Sequence, residues 1–314
     1  MANPALTPRI DFVSAFYIKL GRGGEWEDDS IKTGKLRLGW RQQSVDDINA
    51  GRWDLIDEQL RAKDEGKRVA ATTSDLKALK NIAASTGEDI WITFHKAKLW
   101  WTRLASGPVE QDSISKFRRT AGPWSDRGAD GRLLVISALP GKISQLQGFR
   151  ATVCRVHYDD LLRRTLSGTR SAMATAIRDH HDILARDLTM AIKELHWQDF
   201  ETLVDLVFRA AGWARVSVLG QQAKAYDLEL REPITRDRYV VQVKSQAGLA
   251  DLRKTIASFS SDDFRRVFFV VHSPDDDLAG ATGIPDHVEI VSPQRLGELA
   301  MDAGLVRWLE DKVS

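Results

Sequence analysis

A chain of 314 residues, 43% hydrophobic and 28% charged, has apolar material for two domains with cores of their own, and no apolar run approaches the roughly 20 residues that span a bilayer. Its one cysteine, Cys154, excludes a disulfide framework and a thiolate zinc site within the chain, and the amino terminus lacks a charged head followed by an apolar segment; the expectation is a reducing, cytoplasmic setting away from membranes. The net charge of +1 hides an asymmetry, since residues 1–165 carry 27 Lys and Arg against 21 Asp and Glu while residues 166–314 carry 18 against 23, a basic half suited to a polyanion before an acidic half suited to cations.

In chain order, residues 11–20 alternate imperfectly as a first strand and 35–40 form a second. Two helical stretches follow, 45–62 and 74–85. Residues 90–95 and 99–104 make a hairpin across Lys96, Ala97 and Lys98, and 133–137 and 149–156 read as further strands. Helices set against a compact, strongly curved sheet or barrel are the natural assembly. A polar break at residues 167–171 separates this half from a helical connector, 173–195, which no Pro or Gly interrupts.

Beyond the connector, Phe200, Leu203, Val204, Val207, Phe208 and Ala211 recur at helical spacing, and Gly212 supplies a stop. An acidic strand then leads by a turn to a second strand ending in Gln242, Val243 and Lys244. A short amphipathic helix carries Leu249, Leu252, Ile256 and Phe259 on one face. The continuous apolar run 267–271 reads as a strand buried on both faces, and 288–291 as another. Ser292 and Pro293 open a last helix that runs to about residue 309. This order predicts a small α/β domain with a mixed central sheet.

Residues two apart on a strand share a face, so Gln242 and Lys244 point one way, as do Asp227 and Glu229 on the neighbouring strand. A carboxylate, an amide oxygen and an ammonium converging at one sheet edge suit Mg²⁺ and a scissile phosphate. Asp227 is the anchoring ligand in this reading and Gln242 a neutral second one. The neutral ligand leaves the site short of one negative charge, which Glu201 from the preceding helix or Glu229 from the same strand would restore. Lys244 would position the attacking water and offset charge building on the phosphate.

The helix HWQDFETLVDLVFRAAGW, the acid in YDLEL, the QVK tripeptide and the segment ending in VEIVSPQRLGELA resemble the PD-(D/E)xK superfamily, and within it the Mrr-type nucleases, over about residues 195–309. The resemblance implies an active site of Glu201, Asp227, Gln242 and Lys244 with Mg²⁺ as cofactor. Residues 222–226 depart from the family pattern, which has glycines just before the aspartate. A second resemblance covers about residues 12–156: FYIKLG, DSIKTGKLRLGW and DIWITFHKAKLWWTRLASG look like the PUA-like barrel class that includes EVE and YTH domains. It implies an aromatic pocket that takes up a modified base, flipped out when the substrate is duplex. Trp40 matches the family position best, Trp124 is a facing wall, Trp91 another candidate, and Tyr17 and Lys19 close the first strand. Lys96, Lys98, Arg118 and Arg119 are candidates for phosphate contact.

His180 and His181 lack metal-ligand spacing, and neither a G-x-S-x-G turn nor a phosphate-binding G-x-x-x-x-G-K-[ST] run occurs, so no NTP-driven chemistry is expected. Together these features predict a modified-base-binding domain at 1–165, a connector at 166–195 and a nuclease domain at 196–314. The implied partner is double-stranded DNA carrying a modified base, met by a homodimer. A binding protein without catalysis and a nuclease for modified RNA are the alternatives.

Overall fold

The structure, a computed structural model, describes residues 9–63, 69–216, 227–259 and 264–314. The chain divides after Ser171 into two compact units. Among the described residues no helix is long and apolar enough to cross a membrane.

The first unit runs β1 (Ala15–Ile18), α1 (Glu27–Thr33), β2 (Lys35–Leu38), α2 (Val45–Asn49), α3 (Trp53–Lys63), α4 (Val69–Ala84), β3 (Ile90–His95), β4 (Lys98–Thr102), β5 (Glu110–Gln111), β6 (Lys116–Arg119), α5 (Gly141–Ser144), β7 (Val153–Arg155) and α6 (Asp159–Ser167). Its strands form two sheets, β4-β3-β1-β7 and β2-β6-β5, with β1 and β3 parallel. The bridge between Leu104 and Thr120 ties the ends of β4 and β6, but no closed barrel forms among the described residues. Every residue of β1 is buried because the larger sheet is covered on both faces: Phe16 and Ile18 enter one apolar cluster with Trp91, Ala15 and Tyr17 another with Ile92 and Phe94.

Three sequence expectations change here. The helix expected at 45–62 is two, α2 and α3, because Gly51 takes a left-handed φ of 68° between them. Residues 133–137 make only isolated bridges and run into a short 3₁₀ turn. The strand expected at 149–156 shortens to β7.

The second unit runs α7 (Ala172–Glu194), α8 (Trp197–Ala210), β8 (Ala214–Arg215), β9 (Leu228–Arg231), β10 (Arg238–Ala247), α9 (Leu249–Ser258), β11 (Arg266–Pro274), α10 (Asp276–Ala279), β12 (Val288–Val291), α11 (Pro293–Asp302) and α12 (Val306–Lys312). The sheet order is β12-β11-β10-β9-β8, parallel from β10 to β12 and antiparallel from β10 to β8, so the sheet is mixed. Alternation along β10 and β11 sends Val241, Phe268 and Val270 to the side of α8 and α11, and Val240, Val267, Phe269 and Val271 to the side of α9. Ser292 accepts a hydrogen bond from the Arg295 amide with Pro293 at the first helical position, which starts α11 where the sequence signals it. The stretch expected as a connector is instead built into the second unit, with Leu188 and Ile192 of α7 buried in its core.

Candidate active site and base-reading surface

β9 and β10 pair antiparallel with Val241 opposite Leu228, so the next rung sets Gln242 against Asp227. The side-chain amide of Gln242 donates to Asp227 Oδ2, and the Val243 backbone amide donates to the same oxygen at 2.6 Å. Gln242 is buried, Asp227 exposed, and Lys244 follows on the same face of β10, half-buried. Among the described residues Lys244 makes no ion pair. The strand pair thus presents a carboxylate, an amide and an ammonium along one edge. Tyr226 and residues 222–225 of the approach lie outside the described residues.

Glu201 comes from α8, whose apolar side packs through Phe200, Leu203 and Val204 into the core and leaves Glu201 at the surface. Burial, and next the charge of Asp227, raise its carboxyl above the ordinary glutamate range. Glu229 is committed elsewhere: it is buried and paired with Arg238 at 2.8 Å. Glu201 therefore senses the Asp227 charge, while Glu229 is engaged by Arg238.

Two carboxylates that repel each other beside an amide form a donor set that fits a hard divalent cation. Among the described residues no group of three or more His, Cys, Asp or Glu side chains is placed to hold a metal. A cation held at Asp227 would draw on the amide oxygen of Gln242 only if the amide, whose nitrogen faces the carboxylate, turned end for end. His272 is a neighbour that sequence reasoning missed. It follows Val271, the partner of Lys244, and its ring meets Phe200 edge-on at 5.0 Å. Its one sequence signal is its place at the polar end of the apolar run.

The first unit divides the expected base-reading residues. Trp91 is wholly buried, stacks on Phe16 at 4.9 Å and donates to Ser85 Oγ, which corrects its assignment from pocket to core. Trp124 is buried as well and donates to the Lys35 carbonyl. Tyr17 lies in the other apolar cluster, where burial, then the charges of Cys154 and Glu27, push its phenol up to about 12. Lys19 is half-exposed beyond the end of β1. Trp40 is the exception: half-buried, it holds a left-handed φ of 54°, and its carbonyl accepts from the buried Lys116 ammonium at 3.0 Å. A bulky residue in that conformation persists only where its surroundings fix it.

The phosphate candidates also separate. Arg118 is buried and donates to the carbonyls of Ile82, Ala83, Ser85 and Ala105, so its guanidinium is spent inside the fold and not on phosphates. Lys96, Lys98 and Arg119 pair with Asp28, Asp126 and Glu110 at 2.6–2.7 Å. The Lys96 and Arg119 pairs lie at the surface, where such contacts exchange at little cost.

Residues 192–299 match the family Mrr_cat, restriction endonuclease, a span from the end of α7 into α11 that holds Glu201, Asp227, Gln242 and Lys244. The second unit therefore carries a restriction endonuclease domain, of a class of nucleases that act on DNA. Among solved structures the chain is similar to a DNA modification-dependent restriction endonuclease, AspBHI, over 71% of this chain and 68% of that one, with 11% identity and a TM-score of 0.34. No curated protein matches.

Proposed function

We propose that the chain is a Mg²⁺-dependent endonuclease that hydrolyses double-stranded DNA carrying a modified base, with the first unit reading the base and the second cutting. The observation that carries the nuclease reading is the contact of Gln242 with Asp227 across β9 and β10, with Lys244 next along the same face and Glu201 coupled to Asp227 by charge. Asp227, Gln242 and Glu201 would hold the metal. When bound there, a divalent cation polarises a phosphoryl oxygen and acidifies water. Lys244 supplies a point charge that favours the pentacovalent phosphate over the ground state and orients the incoming water. The Val243 amide fixes the Asp227 carboxylate, so the ligand is set before substrate arrives. Reading rests on the resemblance of the first unit to PUA-like domains and on the constrained placement of Trp40. Two strands need two cuts, so two copies act together, and no nucleotide drives the reaction.

Cleavage of unmodified, methylated and hydroxymethylated plasmid with Mg²⁺ tests this directly. Wild type is expected to cut only modified DNA, while Asp227→Ala and Lys244→Ala each lose about 10²–10³-fold or more in rate. Binding of modified duplex without cleavage by wild type would make the second unit a scaffold. Equal cutting of every plasmid would remove the reader, and cutting confined to modified RNA would change the substrate.

A further inference from the structure

All ten tryptophans lie among the described residues, and nine of them are buried or half-buried; Trp197, 51% exposed, is the exception. It enters none of the apolar clusters formed by the described residues, whereas Trp213 and Trp308 of the same unit pack against the core. An indole is a large apolar surface, and leaving one in water forgoes the burial that folding ordinarily obtains from it. Among the described residues its ring contact is with its own neighbour: the His196 ring lies 5.7 Å away, tilted by 46°. His196 is the cap of α8, its side chain accepting from the Gln198 amide at 3.5 Å. The indole is presented to solvent at the start of the helix and is not packed away.

Its position ties the exposed ring to the candidate metal site. Residues four apart on a helix are neighbours on one face, about 6 Å apart along the axis, so Trp197 sits one turn before Glu201 on the same flank of α8. The core side of that helix carries Phe200, Leu203, Val204, Val207 and Phe208, all buried, and both Trp197 and Glu201 stay at the surface. A substrate whose phosphate is held between Asp227 and Glu201 brings the nucleotides on either side of that phosphate within reach of the indole. We infer that Trp197 is a substrate contact, its ring stacking on the base of a nucleotide beside the scissile phosphate.

The contact rests on the nuclease reading and gives it a means of holding DNA at the cut. Every base has a π face, so an indole takes any of the four and reads no sequence. That tolerance suits a cutting unit whose choice of DNA is made in the first unit. A base held on the ring also fixes the sugar and phosphate next to it, which keeps the scissile phosphate aligned with the metal ligands and Lys244 during attack. In a duplex the base leaves its own stack to meet the ring, as happens where apolar side chains wedge between base steps.

Photocrosslinking of the full Asp227→Ala chain tests the contact, using modified duplexes that carry iododeoxyuridine at one position at a time. Irradiation is expected to join one such position to Trp197, located by mass spectrometry of the digested adduct, and that position is expected to lie beside the cut made by wild type. Adding Trp197→Phe should keep the adduct at that position and adding Trp197→Ala should abolish it. In plasmid cleavage, Trp197→Ala is expected to lower kcat/KM about tenfold or more, the worth of one stacked base, and Trp197→Phe to keep it within about threefold. Calorimetry with Mg²⁺ separates a DNA contact from support of Glu201, since Trp197→Ala then binds the metal as wild type does. Adducts confined to other residues, a Trp197→Ala chain that cuts as fast as wild type, or one that loses Mg²⁺ affinity would each overturn the inference. If wild type cuts nothing, the nuclease reading fails, while the adduct still decides whether the indole meets DNA.

Discussion

In the proposed metal site Glu201 is the residue that would add a second carboxylate to Asp227 and the neutral amide of Gln242. Its carboxyl is raised by burial and by the Asp227 charge, and the direction fixes the sign of its effects. A raised carboxyl favours the fold most where it is protonated, and that contribution fades as pH rises through its folded value, where two negative charges face each other. Without metal, Glu201→Gln is therefore expected to raise the melting temperature at neutral pH and to leave it little changed in acid. With metal the sign reverses. A proton on Glu201 competes with the cation, so Mg²⁺ affinity, read by calorimetry, is expected to fall as pH drops through a value above the ordinary glutamate range. Glu201→Gln removes that step and binds metal more weakly at neutral pH. An affinity that does not respond to the substitution would take Glu201 out of the site. Asp227, Gln242 and Lys244 were legible in the sequence because strand alternation places them. The division of labour between Glu201 and Glu229 was not, since only the register that brings Arg238 to Glu229 shows which acid is occupied.

Arg118 shows how an element can depend on a residue that sequence reasoning assigns to the surface. Its guanidinium collects the carbonyls of Ile82, Ala83 and Ser85, where α4 ends and its last acceptors lack helical donors, and adds Ala105 from beyond β4. The sequence offers Arg118 and Arg119 alike for phosphate contact, but β6 buries Lys116, Phe117 and Arg118 and leaves only Arg119 outside. Arg118→Met keeps the length and the apolar stem while leaving several carbonyls without a donor. The expected loss is more than about 3 kcal/mol, visible as a lowered melting transition of the full chain, whereas Arg119→Met at the surface should change it by less than about 1 kcal/mol. A surface role for Arg118 predicts the same small effect for both. Strand pairs and capped helices were legible where local chemistry decides them, as in the hairpin of β3 and β4 and the Ser292 cap of α11. Residues 133–137 were misread because their apolar run Leu133 to Ile136 suits a strand but their partners offer only single bridges.

At the scale of the whole molecule, a basic half precedes an acidic half, and the two units separate the tasks of choosing DNA and cutting it in the reading proposed here. That separation makes the tasks removable one at a time. Asp227→Ala is expected to abolish cutting while preserving the preference for modified over unmodified duplex, since it touches only the edge of β9 and β10. In that cut-dead background the reader can be probed by competition binding. Trp40 is the sharpest target: Trp91 and Trp124 are structural, while Trp40 is half-buried and held in a left-handed conformation by the Lys116 latch on its carbonyl. Trp40→Ala removes a stacking face and leaves the latch, so overall affinity for unmodified DNA, which rests on phosphate charge, should stay nearly constant. The discrimination contributed by one added methyl is about 1–3 kcal/mol, so the preference for modified duplex should shrink by roughly 10–100-fold. A Trp40→Ala chain that keeps its full preference places the reading surface elsewhere on the first unit. One that loses binding to both duplexes alike shows that Trp40 supports the fold, an outcome its melting temperature would report independently.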